Sequence, residues 1–243
     1  MLIESPAIII KQTDFRESSK IITFFSRQYG KTAILAKGVK RGKSKYGGIL
    51  GFGAILNVMF YYKENRSVQT FKQAEVKIST IKLQADFEKL SIAMALLELI
   101  DGATHENEPN PELYDFLESF LGWLNNAEVN AANIFPYLQL RIAEINGFGL
   151  QLMDDAVEAD LYMNVTSGNL ATQPDSGLSF KLKPIQSLYV RTAMEGKSAR
   201  LLNMKIEKKE LKSLVNHLDV YLKHHIEGLR DRKSDAIFEQ LLT

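Results

Sequence analysis

Five cationic side chains lie within nine consecutive residues of the stretch 36–52, AKGVKRGKSKYGGILGF; they are Lys37, Lys40, Arg41, Lys43 and Lys45. No acidic residue lies in this stretch. Because like charges repel one another and are not buried together, the pattern predicts an exposed loop. A polyanion would relieve the repulsion, and nucleic acid, with one phosphate per nucleotide, is the polyanion that such a loop favours.

Other residues of the N-terminal part could extend this contact along a strand. Arg16, Lys20 and Arg27 would lengthen the cationic track. Tyr46 adjoins the cations and is the best candidate for stacking on a base. Because phosphate contacts carry no sequence information, we expect only a slight sequence preference.

The same stretch comes close to the pattern of a nucleotide-binding phosphate loop. Residues 38–44, GVKRGKS, follow a predicted strand, but three residues separate the two glycines where the motif has four. A helix should also begin after Ser44, whereas residues 46–53 contain four glycines, which disfavour a helix. The apolar run 96–101 ends in an acid, as a metal-holding second motif would, but such runs are common at helix ends. The pattern therefore disfavours a nucleotide-hydrolysing enzyme.

No other set of residues has the spacing of a catalytic or metal site. The chain has no cysteine, which excludes disulfides, thiol nucleophiles and thiolate zinc sites. Three of the four histidines fall on one predicted helix without an acid at metal-site spacing, so they are interpreted as surface residues; the four are His105, His217, His224 and His225. We therefore expect no enzymatic activity, no cofactor and no metal.

The charge of the chain is divided unevenly along its length. Residues 1–80 carry 14 Lys and Arg against 5 Asp and Glu, a net of +9, whereas residues 81–243 carry 16 against 24, a net of −8. A basic half followed by an acidic half suggests two units with different partners. The N-terminus lacks the pattern of a secretory signal, and no apolar run reaches the roughly 18 residues of a membrane span. We expect a soluble, intracellular protein.

The first 80 residues have the pattern of short strands rich in β-branched and aromatic residues. Strands are predicted at 7–11, 20–25, 31–36, 54–62 and 67–71, with Gly30 at a turn. Core positions are expected for Phe24, Phe25 and Phe60. Five strands in about 75 residues favour a closed OB-type barrel, which leaves no exposed strand edge and frequently binds nucleic acid. Residues 1–80 are therefore predicted to be an OB-fold DNA-binding domain.

From about residue 81 the apolar spacing becomes helical, which predicts an α+β chain with a mainly α-helical domain over residues 81–243. Helices are predicted from the N-cap Asp86 to about residue 102 and from Pro111 to about residue 126. Further helices are predicted at about 131–146, from 184, at 208–229 and at 234–242. Residues 150–182 have no clean period, so we expect an irregular insertion or loose hairpins there.

Two stretches of the basic half resemble the RecO family. The first contains TDFRESSK at 13–20 and FFSRQYG at 24–30, and the second contains AKGVKRGKS at 36–44 and GILGF at 48–52. Residues 218–225, LDVYLKHH, followed by Lys233 and Ser234, resemble that family's closing segment. The resemblance therefore covers both ends of the chain.

This resemblance implies a DNA repair and recombination mediator of the RecF-pathway type. Such proteins bind single- and double-stranded DNA through an N-terminal OB domain and anneal complementary strands. They also help to load the RecA recombinase on strands coated with single-strand-binding protein (SSB), with RecR as a partner. The resemblance further implies a bacterial cytoplasmic protein near the nucleoid, and an SSB tail bound in the helical half. Arg141, Arg191 and Arg200 are available to such an acidic tail, although ordinary exposed charge explains them equally well.

The chain departs from the family at one site. Many members carry four zinc-binding cysteines after a Gly–aromatic pair, here Gly147–Phe148, and these positions fall near Asp155, Glu158, Ala171 and Pro174. No tetrahedral thiolate site can form from these residues, and acids in such a loop are interpreted as a solvated face. The alternative function is a non-enzymatic adaptor whose barrel binds protein or RNA.

Overall fold

The protein divides into two compact units, Met1–Ala127 and Glu128–Thr243. The computed structural model describes residues 1–128, 132–153 and 161–234. Strands give way to helices between Ile78 and Ile81, at the boundary expected near residue 80. The first unit nevertheless continues to Ala127 because one of its helices packs against the first strand and the other two pack with that helix. The limit at residue 80 thus marks the change of secondary structure, and its role as a domain boundary stays a prediction.

The first unit contains a closed five-stranded barrel, which confirms the predicted OB-type fold. Its strands are β1 (Leu2–Phe15), β2 (Ser19–Ser26), β3 (Gly30–Ala36), β4 (Ile55–Tyr61) and β5 (Val68–Ile78). They close in the order β1-β2-β3-β5-β4, and every neighbouring pair is antiparallel except β3 and β5. β1 and β5 are longer than predicted because their additional residues include polar and exposed ones that interrupt the apolar pattern.

The barrel interior is filled by the inward face of each pleated strand. In β3, Thr32, Ile34 and Ala36 are buried while the residues between them are half-buried. The three phenylalanines predicted in the core are fully buried, and Phe24 meets Phe60 edge to face with ring centroids 5.4 Å apart. The burial of each such side chain stabilises the folded barrel by roughly 1.5–3 kcal/mol, so the barrel is a stable scaffold for its loops.

Three helices complete the first unit: α1 (Ile81–Ala85), α2 (Phe87–Ala103) and α3 (Pro111–Asn126). The predicted N-cap Asp86 accepts a hydrogen bond from the Lys89 amide at 3.1 Å. Asn110 caps α3 by accepting from the Leu113 amide at 3.0 Å, with Pro111 in the first turn. Both predicted helix starts are therefore confirmed.

The loop between α2 and α3 packs closely on the barrel at Gly30. Gly30 has a φ of +61°, and a Cβ atom there would lie 2.1 Å from the Glu108 carbonyl oxygen. The adjacent Lys31 carbonyl accepts a hydrogen bond from the Asn107 amide at 3.0 Å. Four ion pairs among the described residues also join strands or strand ends to these helices: Arg27–Asp115, Lys11–Asp101, Lys31–Asp101 and Lys77–Glu118. These contacts explain why the compact unit extends beyond the strands.

The second unit is mainly helical. After a short 3-10 turn (Ala132–Ile134) it contains α4 (Phe135–Ile145), α5 (Pro184–Met194), α6 (Ser198–Leu202) and α7 (Lys208–His225). Gln139 of α4 donates to the Val215 carbonyl and to Asp219 of α7, and Arg232 makes two bonds to the same aspartate at 2.6 and 2.7 Å. The helix predicted at 234–242 lies outside the described residues except for Ser234.

Residues 150–182, expected to be an irregular insertion or loose hairpins, contain a small sheet that includes one antiparallel hairpin. The strands β6 (Gln151–Leu152), β7 (Tyr162–Asn164), β8 (Asn169–Ala171) and β9 (Ser179–Lys181) are arranged in the order β6-β8-β7-β9. Each strand has only two or three residues, which is too short for an alternating pattern to be recognised in sequence. Among the helices in the described part of the chain, none is long and apolar enough to cross a membrane.

Candidate nucleic-acid interface

The basic stretch forms a loop between β3 and β4, which we call the basic loop (residues 37–54), and the barrel holds it in place. Val39 and Leu50 are only 5% and 4% exposed and pack into the barrel core. The Lys40 amide donates to the Ser18 carbonyl at 3.0 Å, and the Gly53 amide donates to the Ile9 carbonyl at 2.9 Å. The loop therefore presents its charged side chains from a backbone that is anchored at both ends.

All five cationic side chains of the basic loop are exposed, as the sequence predicted. Lys40 alone among them has an ion-pair partner in the described residues, with its Nζ 2.7 Å from Asp14 Oδ2. This hydrogen bond holds the pKa of Asp14 below its usual value. The other four have no carboxylate within ion-pair distance in that part of the chain; they are Lys37, Arg41, Lys43 and Lys45. Their mutual repulsion is unrelieved within the described chain.

Tyr46 serves as a further anchor of the basic loop. Its half-buried ring packs on the barrel core and meets Phe71 edge to face, with ring centroids 5.0 Å apart. The Lys45 ammonium lies over the ring, 4.9 Å from its centroid. A base could stack on that face only after the lysine moves aside, so stacking by Tyr46 stays a prediction.

Two of the three additional cations lie at the same end of the barrel as the basic loop. Lys20 pairs in register with Asp14 on β1 and with Ala36 on β3, next to the first residue of the loop, and its Nζ donates to Gln12 at 2.8 Å. Arg16 lies in the β1–β2 turn and lines an open cleft together with Lys37 and Arg41 of the basic loop. The structure therefore brings these residues together.

Arg27 lies at the other end of β2. It is seven residues from Lys20, which corresponds to roughly 23 Å along a strand. Its guanidinium donates two hydrogen bonds to Asp115 of α3, at 2.8 and 3.0 Å, and thereby lowers the pKa of that carboxyl group. Arg27 thus joins the barrel to a helix, and a DNA contact by it stays a prediction that this geometry does not favour.

Sequence reasoning did not identify the residues that hold the site. Val39 and Leu50 are single aliphatic residues in a glycine-rich charged stretch, and that isolation is the only signal of an anchor in the sequence. Asp14 lies 26 residues before its partner Lys40, so the pair can be recognised only once the β1–β2 register is known.

The described residues contain no group of three His, Cys, Asp or Glu side chains that could hold a metal. Of the positions without the family's cysteines, Ala171 ends β8 and Pro174 follows it, whereas Asp155 and Glu158 lie outside the described residues. The interpretation of His217 as a surface residue is wrong. It is half-buried and stacked on Phe180 with ring centroids 4.3 Å apart, and burial lowers its pKa.

Comparison with known proteins matches both halves of the chain to one family. Residues 1–79 match the model described as "Recombination protein O N terminal", and residues 84–235 match "Recombination protein O C terminal". The DNA repair protein RecO of Pelodictyon phaeoclathratiforme is 25% identical over 260 residues, which cover 100% of this chain and 99% of that protein. The RecO of Salinibacter ruber is 31% identical over 65% of this chain and 61% of its own length. The RecO of an Exiguobacterium species is 27% identical over 251 residues, which cover 100% of this chain and 97% of that protein.

Proposed function

The chain belongs to the RecO family of DNA repair proteins, and from that premise we propose that it binds DNA through the basic loop. The observation that carries the proposal is a set of four exposed cations that have no carboxylate partner among the described residues. They project from a loop anchored to a closed OB-type barrel. DNA phosphates would supply the missing counter-charges through charge-assisted hydrogen bonds.

The loop geometry supports binding to both single- and double-stranded DNA. Lys and Arg side chains on an exposed loop can contact phosphates of either form, and they read no base sequence. Neutralising the phosphates of two strands also lowers the repulsion between them, which supports the annealing of complementary strands as the activity. The protein would act without bond-breaking chemistry, as a mediator.

Family membership supports a place for this activity in recombination. We propose that the protein acts on DNA coated with SSB, contacts the tail of that protein and RecR, and helps a recombinase to load. Residues 81–243, which follow the barrel strands, would supply the protein contacts because they carry a net charge of −8, which disfavours DNA. The experiment that follows tests the DNA contact, on which the other steps depend.

The test is fluorescence anisotropy with labelled single-stranded DNA over a series of salt concentrations. The variant Arg41→Ala/Lys43→Ala/Lys45→Ala removes three exposed cations of the basic loop and leaves Lys40, which is paired with Asp14. We expect its logarithmic salt slope to be shallower by about 2, at about 0.7 for each lost phosphate contact on a single strand. Its affinity at low salt should fall by more than tenfold, since each lost contact involves charged groups.

The matched control is Lys63→Ala/Arg66→Ala/Lys72→Ala, which removes three exposed cations of the same unit outside the basic loop. This control lowers the net charge by the same amount as the first variant. Because it leaves the basic loop intact, it should keep the wild-type salt slope if that loop makes the phosphate contacts. Equal losses in both triple variants would mean that net charge, rather than the basic loop, determines binding. If the wild-type protein does not bind DNA at any salt concentration, a protein- or RNA-binding adaptor becomes the better interpretation.

A further inference from the structure

The β1–β2 turn and the start of the basic loop enclose an open cleft of about 590 Å³. Arg16, Lys37 and Arg41 line the cleft, and Phe15 and Leu35 supply an apolar part of its wall. A site that combines clustered cations with apolar surface is suited to a ligand with one anionic and one flat apolar part.

The cations of the cleft lack partners of their own. No carboxylate among the described residues lies within ion-pair distance of Arg16, Lys37 or Arg41, although Glu17 lies in the same turn. The Arg16 guanidinium carbon lies 5.2 Å from the centroid of the Phe15 ring. Arg16 also has a φ of +54°, a left-handed conformation that is strained for a non-glycine residue. The fold therefore keeps an arginine where glycine would be less strained.

We propose that this cleft seats one unpaired nucleotide of a DNA strand, an inference that rests on the proposed function of the basic loop. The phosphate lies among Arg16, Lys37 and Arg41. The base takes the place over the Phe15 ring that the Arg16 guanidinium now occupies, once that side chain turns towards the phosphate. Arginine planes and aromatic rings are the surfaces on which unstacked bases commonly pack. A phosphate alone would leave the apolar wall of the cleft uncovered.

The seated nucleotide has to be unpaired because a base in a duplex is held inside the helix. Entry into a concave site would require the base to leave its stack, which is far less favourable in a duplex, where the base pair must also open, than in a single strand. The cleft therefore gives the protein a preference for single strands, whereas the exposed cations of the basic loop bind both forms. An arginine in the β1–β2 turn becomes the residue that distinguishes the two.

The test compares single-stranded DNA with blunt duplex DNA of equal length for the variant Arg16→Gly. Glycine suits the left-handed backbone, so the variant should fold with wild-type stability, which thermal unfolding checks. We expect single-strand affinity to fall about tenfold, as for one lost charge-assisted hydrogen bond. Duplex affinity should change by less than about twofold, so the ratio of the two affinities is the quantity that reports the cleft.

Arg66→Ala is the control, since Arg66 is an exposed cation in the β4–β5 turn and β4 ends beside the start of β1, away from Phe15. It should leave the ratio unchanged. If Arg16→Gly weakens both DNA forms equally, or neither, the cleft does not seat an unpaired nucleotide, while the proposed DNA binding stands. If the wild-type protein binds no DNA, the proposed function itself fails.

Discussion

Among the glycines of the first unit, Gly30 is the one whose replacement by alanine should lower the free energy of unfolding most. An alanine there has two separate costs. The φ of +61° costs an L-residue about 1–2 kcal/mol. The new Cβ would also lie 2.1 Å from the Glu108 carbonyl oxygen, whereas carbon–oxygen contacts are ordinarily about 3.3 Å or longer. The loop between α2 and α3 must therefore move by more than about 1 Å.

That movement should break the neighbouring hydrogen bond from the Asn107 amide to the Lys31 carbonyl, which contributes about 1 kcal/mol. The total loss for Gly30→Ala is roughly 3 kcal/mol, a large part of the 5–15 kcal/mol that stabilises a typical domain. Urea unfolding followed by tryptophan fluorescence measures it, since the only tryptophan, Trp123, lies in α3 of the first unit. At a slope of about 2 kcal/mol per M, the midpoint should fall by about 1.5 M.

Two glycines of the same unit separate the two costs. Gly53 has a φ of +71° but only ordinary contact distances around its Cβ position, so Gly53→Ala should lose only the conformational 1–2 kcal/mol or so. Gly42 has neither a positive φ nor any atom within 4 Å, so Gly42→Ala should be neutral within about 0.5 kcal/mol. If Gly30→Ala loses no more stability than Gly53→Ala, the close packing of the α2–α3 loop on the barrel is refuted.

Two further predictions concern the second unit. Burial lowers the pKa of His217 from its ordinary value of 6.5, so the unfolded chain takes up a proton before the folded one and stability should fall as the pH decreases through about 6.5. His217→Phe keeps the stacking on Phe180 and should reduce this fall in urea midpoints followed by circular dichroism; an unchanged pH dependence would contradict the assignment. Tyr221→Phe removes the 2.6 Å hydrogen bond from the hydroxyl to the Phe148 carbonyl and should cost about 1–2 kcal/mol in the same assay. A wild-type midpoint in that variant would mean that the bond contributes nothing.

The barrel could be predicted from sequence because its signals are local. Strands such as β3 and β4 are bounded by turn residues and dense in β-branched side chains, and helix starts at Asp86 and Asn110 carry their own capping residues. Each signal lies within a few residues of the feature that it predicts. The small sheet of the second unit was not predicted because its strands are too short to show an alternating pattern, and its pairing depends on contacts between residues distant in sequence.

The residue types of the candidate site could be predicted from the sequence, but the positions of these residues relative to one another could not. The density of charge between residues 37 and 45 was enough to indicate an exposed cationic loop. The grouping of Arg16 with Arg41, and the pairing of Arg27 with Asp115, depend on which ends of the strands meet and on a helix 88 residues further along the chain. Spacing in sequence carries no information about such distances, so the two arginines looked equivalent.

The closure of the barrel also constrains the order in which the chain can fold. β1 pairs with β4, so Leu2 meets Tyr61 across a separation of 59 residues, and β5 completes the ring only when Ile78 is available. Contacts so distant in sequence form slowly, because the loop-closure entropy is lost before they can stabilise the chain. Until β4 and β5 have been synthesised, the β1–β2–β3 meander therefore has an unpaired strand edge, which is a template for pairing with other chains. The basic loop follows β3 in the chain and is synthesised within this interval, and like charges on this loop in neighbouring chains would oppose such pairing.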